Sequence, residues 1–224
     1  VILLNTPHNP TGHVFTRAEL EEIGALCCEF NVVAVTDEIY EHIVYDGRAH
    51  IPLAGIPGMA ERTITISGFG KTFAMTGWRL GYACALNPLS TSLRTIHDFT
   101  TICAPAPLQA ACTAALSLPD DYYDSLRREY AERRSTMMEI VQEAGFRAQS
   151  PEGSYYIMAD FGDWDFDGDD FSFARWLPAH LGVAVVPGSC FYGTKGMGKK
   201  TVRFAFAKKM ETLLAAGERL AAAG

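Results

Sequence analysis

The sequence predicts an α/β protein, with a mainly parallel sheet covered by helices and a smaller α+β domain after it. In residues 1–120, short apolar runs alternate with longer amphipathic stretches, which is the pattern of strand–helix–strand units. After residue 120 a long charged stretch follows, and beyond it the runs become shorter and of mixed type. We therefore predict two domains, residues 1–120 and residues 121–224, with the second beginning in a connecting helix.

Four apolar runs predict the strands of the first domain. They cover residues 1–4, 31–36, 62–67 and 80–85. Between the first two runs, Thr16 followed by Glu19 forms a capping box that starts a helix reaching about Phe30. Two more helices are predicted, one from Pro88 and one over residues 107–118.

The second domain begins with a charged stretch, residues 120–145, which predicts a long helix with a solvated face. The elements predicted after it are a strand over 154–161, a helix over 171–181, strands over 183–186 and 201–207, and a helix over 210–222. This short, mixed succession is typical of a small α+β domain.

Composition argues against two classes of partner. A net charge of −7 provides no basic surface for phosphate backbones, so we expect no nucleic-acid partner. The longest apolar region, residues 100–118, is interrupted by Pro105 and Pro107, so we expect no membrane segment. The chain starts at Val1, in what reads as a strand, and we expect it to begin within a domain.

The cysteines and histidines show no spacing of a metal site, so no bound metal is expected. The six cysteines are Cys27, Cys28, Cys84, Cys103, Cys112 and Cys190. Because they contain no C-x-x-C pair, we expect reduced, mostly packed thiols in a cytoplasmic protein.

Five polar residues follow predicted strands of the first domain or precede one, at the edge where open α/β sheets bind ligands. They are Asn9, Asp37, Tyr40, Lys71 and Arg79. Taken singly, each has an ordinary structural explanation: Lys71 as a surface lysine, Asp37 as a cap or turn residue, and Asn9 as part of an Asn-Pro turn. Their common position nevertheless favours a binding site.

In this order and spacing, the five residues resemble the motifs of the class I and II aminotransferases, which are pyridoxal-phosphate (PLP) enzymes of fold type I. Arg203, in an apolar run, matches the family's carboxylate-binding arginine. Residues 104–109, 153–156 and 183–188 also resemble family segments. The sequence is most similar to the bacterial branch that resembles kynurenine and methionine aminotransferases.

The resemblance implies two residues that carry the chemistry. Lys71 would hold PLP in covalent linkage and move the proton between the substrate Cα and cofactor C4′, as tether and general base. Asp37 would keep the pyridine nitrogen protonated, which the ring needs in order to accept electrons.

The resemblance also implies the residues that hold the cofactor and the substrate. Asn9 and Tyr40 would hydrogen-bond the ring oxygen O3′, and Arg79 would pair with the phosphate. Arg203, with Asn9, would bind the substrate carboxylate, because a planar guanidinium matches a planar acceptor.

The implied activity is transfer of an amino group from an L-amino acid to a 2-oxo acid by a ping-pong mechanism, within amino-acid metabolism and biosynthesis. The expected partners are these two substrates and a second copy of the chain. An apolar, proline-containing segment, residues 100–108, supports a homodimer because it would otherwise expose a hydrophobic patch.

Two departures from the family pattern affect the cofactor site. Gly68 stands where the family often has a phosphate-binding hydroxyl, and Gly70 directly precedes Lys71. Backbone amides or Ser67 are alternative phosphate contacts. The N-terminal part of the family's chain, which supplies the residue that stacks on the ring, is absent here.

Two alternative functions stay open at this point. A PLP-dependent carbon–sulfur β-lyase uses the same lysine, aspartate and arginine. A non-catalytic, aminotransferase-like sensing domain of a transcription regulator is the second alternative. Residues 193–199 also fit the G-x-x-x-x-G-K pattern of a nucleotide-binding P-loop. The required Ser or Thr and the following helix are missing, so we expect no P-loop here.

Overall fold

The computed structural model describes residues 1–222 and forms two compact units. Unit 1 consists of Val1–His8 and His13–Arg127, and unit 2 of Asn9–Gly12 and the residues from Arg128 onward. Unit 2 thus includes four residues from near the start of the chain. The predicted domain limits, 1–120 and 121–224, stay a prediction.

A four-stranded sheet forms the centre of unit 1. Its strands are β1 (Ile2–Asn5), β2 (Ala34–Asp37), β3 (Thr63–Gly68) and β4 (Gly81–Cys84), in that spatial order. The first three are parallel and β4 is antiparallel to β3, so the predicted mainly parallel sheet is confirmed. In this register Asn5 lies beside Asp37, and Asp37 beside Ile66.

The helices of unit 1 follow the sequence pattern closely. They are α1 (Arg17–Glu29), the short α2 (Phe69–Thr72), α3 (Leu89–Thr100), α4 (Ala106–Leu116) and the start of α5 (Asp120–Glu143), which continues into unit 2. Thr16 and Glu19 form the predicted capping box of α1. After α1 the chain turns through Asn31, whose φ is 49°, and β2 therefore begins later than the predicted residue 31.

Apolar side chains pack α1 against the sheet and the segment that precedes β3. The buried cluster consists of Leu20, Cys27, Ala34, Leu53, Ile56 and Met59. This core contacts β2 at Ala34, the first residue of the strand, whereas Asp37 is its last residue.

Unit 2 contains an antiparallel sheet with helices. Its elements are β5 (Arg147–Ala148), β6 (Tyr156–Asp160), α6 (Asp170–Leu181), β7 (Val186–Pro187), β8 (Thr201–Ala205) and α7 (Met210–Ala221). The strand order is β5-β6-β8-β7. The predicted α+β character is confirmed.

One predicted strand of unit 2 is wrong. Residues 183–186 were expected to pair, but only Val186 and Pro187 pair with β8. Val183 is buried without being part of a ladder. Packing in a core and pairing in a sheet both select apolar residues, so an apolar run does not distinguish them. At Val183 the run reflects burial and not strand pairing.

The expectation of mostly packed thiols is also wrong. Only Cys27 and Cys112 are buried, and the other four cysteines are exposed, although all six are free. Cys84 is exposed because it lies on β4, a strand whose four residues are all exposed. Over residues 1–222 we find no helix that combines the length and the apolar character needed to cross a membrane.

Candidate functional site

In unit 1, the site residues predicted from the sequence follow two neighbouring parallel strands. Asp37 is the last residue of β2, and Lys71 lies in α2 directly after β3. Because β2 and β3 run parallel and in register, their carboxyl ends meet at one edge of the sheet. Lys71 Nζ lies 5.9 Å from the centre of the Tyr40 ring, so the structure brings these two predicted residues together.

The Asp37 side chain is half-buried and has one hydrogen bond. Its Oδ1 accepts from the Ile39 backbone N–H at 3.2 Å. Its backbone oxygen accepts from Thr6 N at 3.0 Å and from Asn5 Nδ2 at 2.9 Å. The strand end is thus held from the β1 side. Within residues 1–222, the second carboxylate oxygen accepts no hydrogen bond and is open to another donor.

Arg79 lies just before β4 with its backbone in the left-handed region, at φ 56°. A residue with a Cβ adopts this conformation at a cost, and such residues concentrate at functional sites. Its Nη1 donates to the Thr76 backbone oxygen at 3.1 Å, and the residue is exposed. Thr76 in turn donates to the Gly70 oxygen at 2.7 Å, which joins this turn to the residue before Lys71.

The structure leaves little room for a side chain at Gly68. A Cβ at this position would lie 2.9 Å from both the Gly81 Cα and the Leu80 oxygen, because β3 and β4 approach closely here. A serine therefore does not fit without a shift of the strands. The neighbouring Ser67 donates its hydroxyl to Glu41 Oε1 at 2.6 Å, so this side chain is already engaged.

Unit 2 brings together the other two predicted site residues, Asn9 and Arg203. Arg203 Nη1 donates to Asn9 Oδ1 at 2.7 Å. The guanidinium carbon lies 4.0 Å from the centre of the Tyr156 ring and 4.8 Å from that of Phe191. Arg203 Nε is buried and has no hydrogen-bond partner in the part of the chain described. The planar guanidinium thus contacts two rings, and its Nε can donate one further hydrogen bond.

The loop that carries Asn9 is tied to the rest of unit 2 through Gly12. Gly12 has φ 74°, and its oxygen accepts from Gly153 N at 2.8 Å. A Cβ at Gly12 would lie 2.3 Å from Pro151 Cβ, so only glycine permits this approach.

Sequence reasoning missed several polar residues of unit 1. Glu38 and His50 form a buried pair, with Oε2 and Nε2 at 2.6 Å. Glu41 accepts hydrogen bonds from Ser67 and from Tyr82. Tyr82 is 37% exposed, and its partial burial raises its pKa to about 12. The sequence did contain a signal for Glu38. Successive side chains of a strand point to opposite faces of the sheet, so Glu38 is predicted on the face away from Asp37. His50 lies in a loop twelve residues further on, and its spacing carried no signal.

Comparisons with known proteins agree with this geometry. The family model described as "Aminotransferase class I and II" matches residues 1–220. The chain is 38% identical to human kynurenine–oxoglutarate transaminase 3, covering 97% of this chain and 52% of that protein. It is 40% identical to aspartate aminotransferase of Musicola paradisiaca, covering 100% of this chain and 55% of that one.

A solved structure, N-succinyldiaminopimelate aminotransferase from Mycobacterium tuberculosis, matches with a TM-score of 0.94 and 38% identity, covering 99% of this chain and 58% of that chain. The chain therefore spans about half the length of the curated relatives it matches. Family match, sequence identity and fold agree, and the chain belongs to the class I and II aminotransferase family.

Proposed function

We propose that the full-length protein is a PLP-dependent aminotransferase, which transfers an amino group from an L-amino acid to a 2-oxo acid by a ping-pong mechanism. One observation carries the proposal: Lys71, Tyr40 and Asp37 follow adjacent parallel strands in a chain of this family. Because the chain spans about half of its relatives, the activity concerns the longer protein.

The residues of unit 1 fit the chemistry of PLP. The open oxygen of the Asp37 carboxylate suits a protonated ring nitrogen, and the exposed guanidinium of Arg79 suits a phosphate. Backbone amides around Gly68 and Gly70 remain as further phosphate contacts, since the Ser67 hydroxyl is engaged by Glu41. When bound, PLP supplies an electron sink for the electrons released at the substrate Cα.

Each residue has a defined task in this proposal. Lys71 holds the cofactor and moves the proton at the substrate Cα. Asp37 holds the proton on the ring nitrogen. Tyr40 and Asn9 donate hydrogen bonds to the ring oxygen O3′, as the family resemblance implies.

Arg203 is proposed to bind the substrate carboxylate, together with Asn9. The stacked guanidinium and its unpartnered Nε support this role, because a buried donor needs an acceptor. A carboxylate is common to all L-amino acids, so this contact does not select the donor. The relatives are named for kynurenine, aspartate and N-succinyldiaminopimelate, which leaves the substrate class as broad as L-amino acids.

The decisive experiment identifies the lysine that binds the cofactor. The full-length protein is incubated with PLP, reduced with borohydride and mapped by peptide analysis, and the pyridoxyl label is expected on Lys71. Lys71→Ala should lose the label, whereas Lys200→Ala, whose lysine donates to the Gly168 oxygen, should keep it. A label on another lysine of the unaltered protein would refute the assignment.

We further propose that the intact protein is a cytoplasmic homodimer. The family resemblance supports the dimer, and unit 1 has exposed apolar side chains for a partner copy or the rest of the longer protein to cover, with Phe99 90% and Ile102 76% exposed. Six free cysteines support a reducing compartment. In sedimentation, the active protein should run as a dimer, and an active monomer at working concentration would contradict this.

A further inference from the structure

Unit 1 contains a buried carboxylate that the proposed reaction does not use. The Glu38 side chain is 1% exposed, and its Oε2 lies 2.6 Å from Nε2 of His50, which is 9% exposed. Its Oε1 accepts from the Thr36 hydroxyl at 2.8 Å, and that hydroxyl lies 3.4 Å from Thr65 Oγ1. Burying a carboxylate without hydrogen-bond partners is costly, and these contacts give each of the two Glu38 oxygens one partner.

The Glu38 side chain and the Asp37 side chain lie on opposite faces of the sheet. Side chains alternate along a strand, so Thr36 and Glu38 point to one face of the sheet and Asp37 to the other. Glu38 N donates to the Ile66 oxygen at 2.8 Å, which extends the ladder with β3 by one residue. The Asp37 oxygen is bonded from the β1 side. The backbone at Asp37 is thus held from both neighbouring strands, and the Glu38 side chain provides the third anchor.

We propose that the Glu38–His50 pair positions the Asp37 carboxylate, by anchoring the end of β2 to the loop that contains residue 50. The inference rests on the proposed function and deepens it. Without His50, the Glu38 side chain loses its contact with this loop, and the end of β2 is no longer anchored to it. Glu38 directly follows Asp37, so the loss of this anchor displaces the Asp37 carboxylate.

The expected loss of rate follows from the displacement of the Asp37 carboxylate. A displacement of roughly 1 Å in a catalytic group costs about 10²-fold in rate. His50→Leu should therefore slow single-turnover amino transfer by about 10- to 100-fold. His50→Gln keeps a side-chain N–H donor for Glu38 and should recover most of the rate.

The test uses the full-length protein loaded with PLP that carries ¹⁵N in its ring. Three properties are measured for each variant: the urea unfolding midpoint without cofactor, the ¹⁵N chemical shift of the ring nitrogen, and the single-turnover rate with the best donor from a panel of L-amino acids. Leu53→Ala is the matched control, because it removes a fully buried side chain from the core of the same unit and no hydrogen bond.

Both His50→Leu and Leu53→Ala should unfold at lower urea concentration than the unaltered protein. Only His50→Leu should shift the ring nitrogen toward its unprotonated value and slow the transfer. If His50→Leu does not fold, Glu38→Gln combined with His50→Leu replaces it, because a neutral amide removes the buried charge while the anchor stays missing. The same spectral shift and slowing are expected there.

Two results would overturn different statements. If the ring nitrogen stays protonated and the rate matches that of Leu53→Ala at equal loss of stability, the pair is structural only and the inference fails. If the unaltered protein binds no PLP or transfers no amino group, the proposed function fails instead.

Discussion

The contact between Arg203 and its neighbours leads to a quantitative prediction for Arg203→Lys. The guanidinium lies between Tyr156 and Phe191 and donates from Nη1 to Asn9. Lysine keeps the charge but has neither the planar group that stacks on the two rings nor the second donor of the fork. The proposed carboxylate contact should therefore become weaker and less directed.

The size of the effect follows from the bonds that are lost. A hydrogen bond to a charged group contributes about 1.5–3 kcal/mol. At about 1.4 kcal/mol for each factor of ten, losing one such bond weakens substrate binding by roughly 10- to 100-fold. The remaining lysine charge prevents a larger loss. Cofactor affinity should not change, because the proposed contacts of Arg203 are to the substrate.

The assay is a titration of the PLP-loaded full-length protein with donor amino acid and, separately, with 2-oxo acid, followed by absorbance. Phe191→Leu is the graded control, because it removes one of the two rings and leaves the arginine. A cation–ring contact is worth about 1 kcal/mol, so this variant should weaken substrate binding by about fivefold.

Any of three results would refute this prediction. If Arg203→Lys binds both substrates as the unaltered protein does, the arginine does not bind the carboxylate. If the variant loses PLP while its substrate affinity is unchanged, Arg203 has a structural role. A loss of substrate affinity in Phe191→Leu that exceeds the loss in Arg203→Lys would show that the ring, rather than the guanidinium, contacts the substrate.

Three further predictions concern unit 1. Asp37→Asn should still bind PLP but slow transamination by at least about 10²-fold in single turnover. A near-normal rate would show that Asp37 acts only as a cap, because Asn and Asp are equivalent in that role. Gly68→Ser should lower the free energy of unfolding by about 1–3 kcal/mol in urea, because its Cβ would lie 2.9 Å from the Gly81 Cα. An unchanged free energy of unfolding would show that β3 and β4 separate easily. Partial burial raises the Tyr82 pKa from 10.0 to about 12, so its contribution to stability is complete below pH 10 and is lost as the pH rises toward 12. In Tyr82→Phe the loss of stability over that alkaline range should be smaller, and an identical pH profile would contradict the assignment.

Local sequence determined the scaffold of unit 1 and the order of its site residues. The capping box at Thr16 and the apolar runs placed α1 and the strands to within a few residues, because helix and strand periodicities are local. Asp37 and Lys71 were identified because both directly follow such runs. The family resemblance then assigned chemical roles that periodicity alone does not contain.

Tertiary structure decided which distant residues meet. Arg203 donates to Asn9 across 194 positions of the sequence, and His50 reaches Glu38 from a loop. It also decided that residues 183–185 are not part of a strand. These features depend on which side chains are brought together and deprived of water when the chain folds. A buried charge needs its partner only in that environment, so no spacing along the sequence reveals the pair.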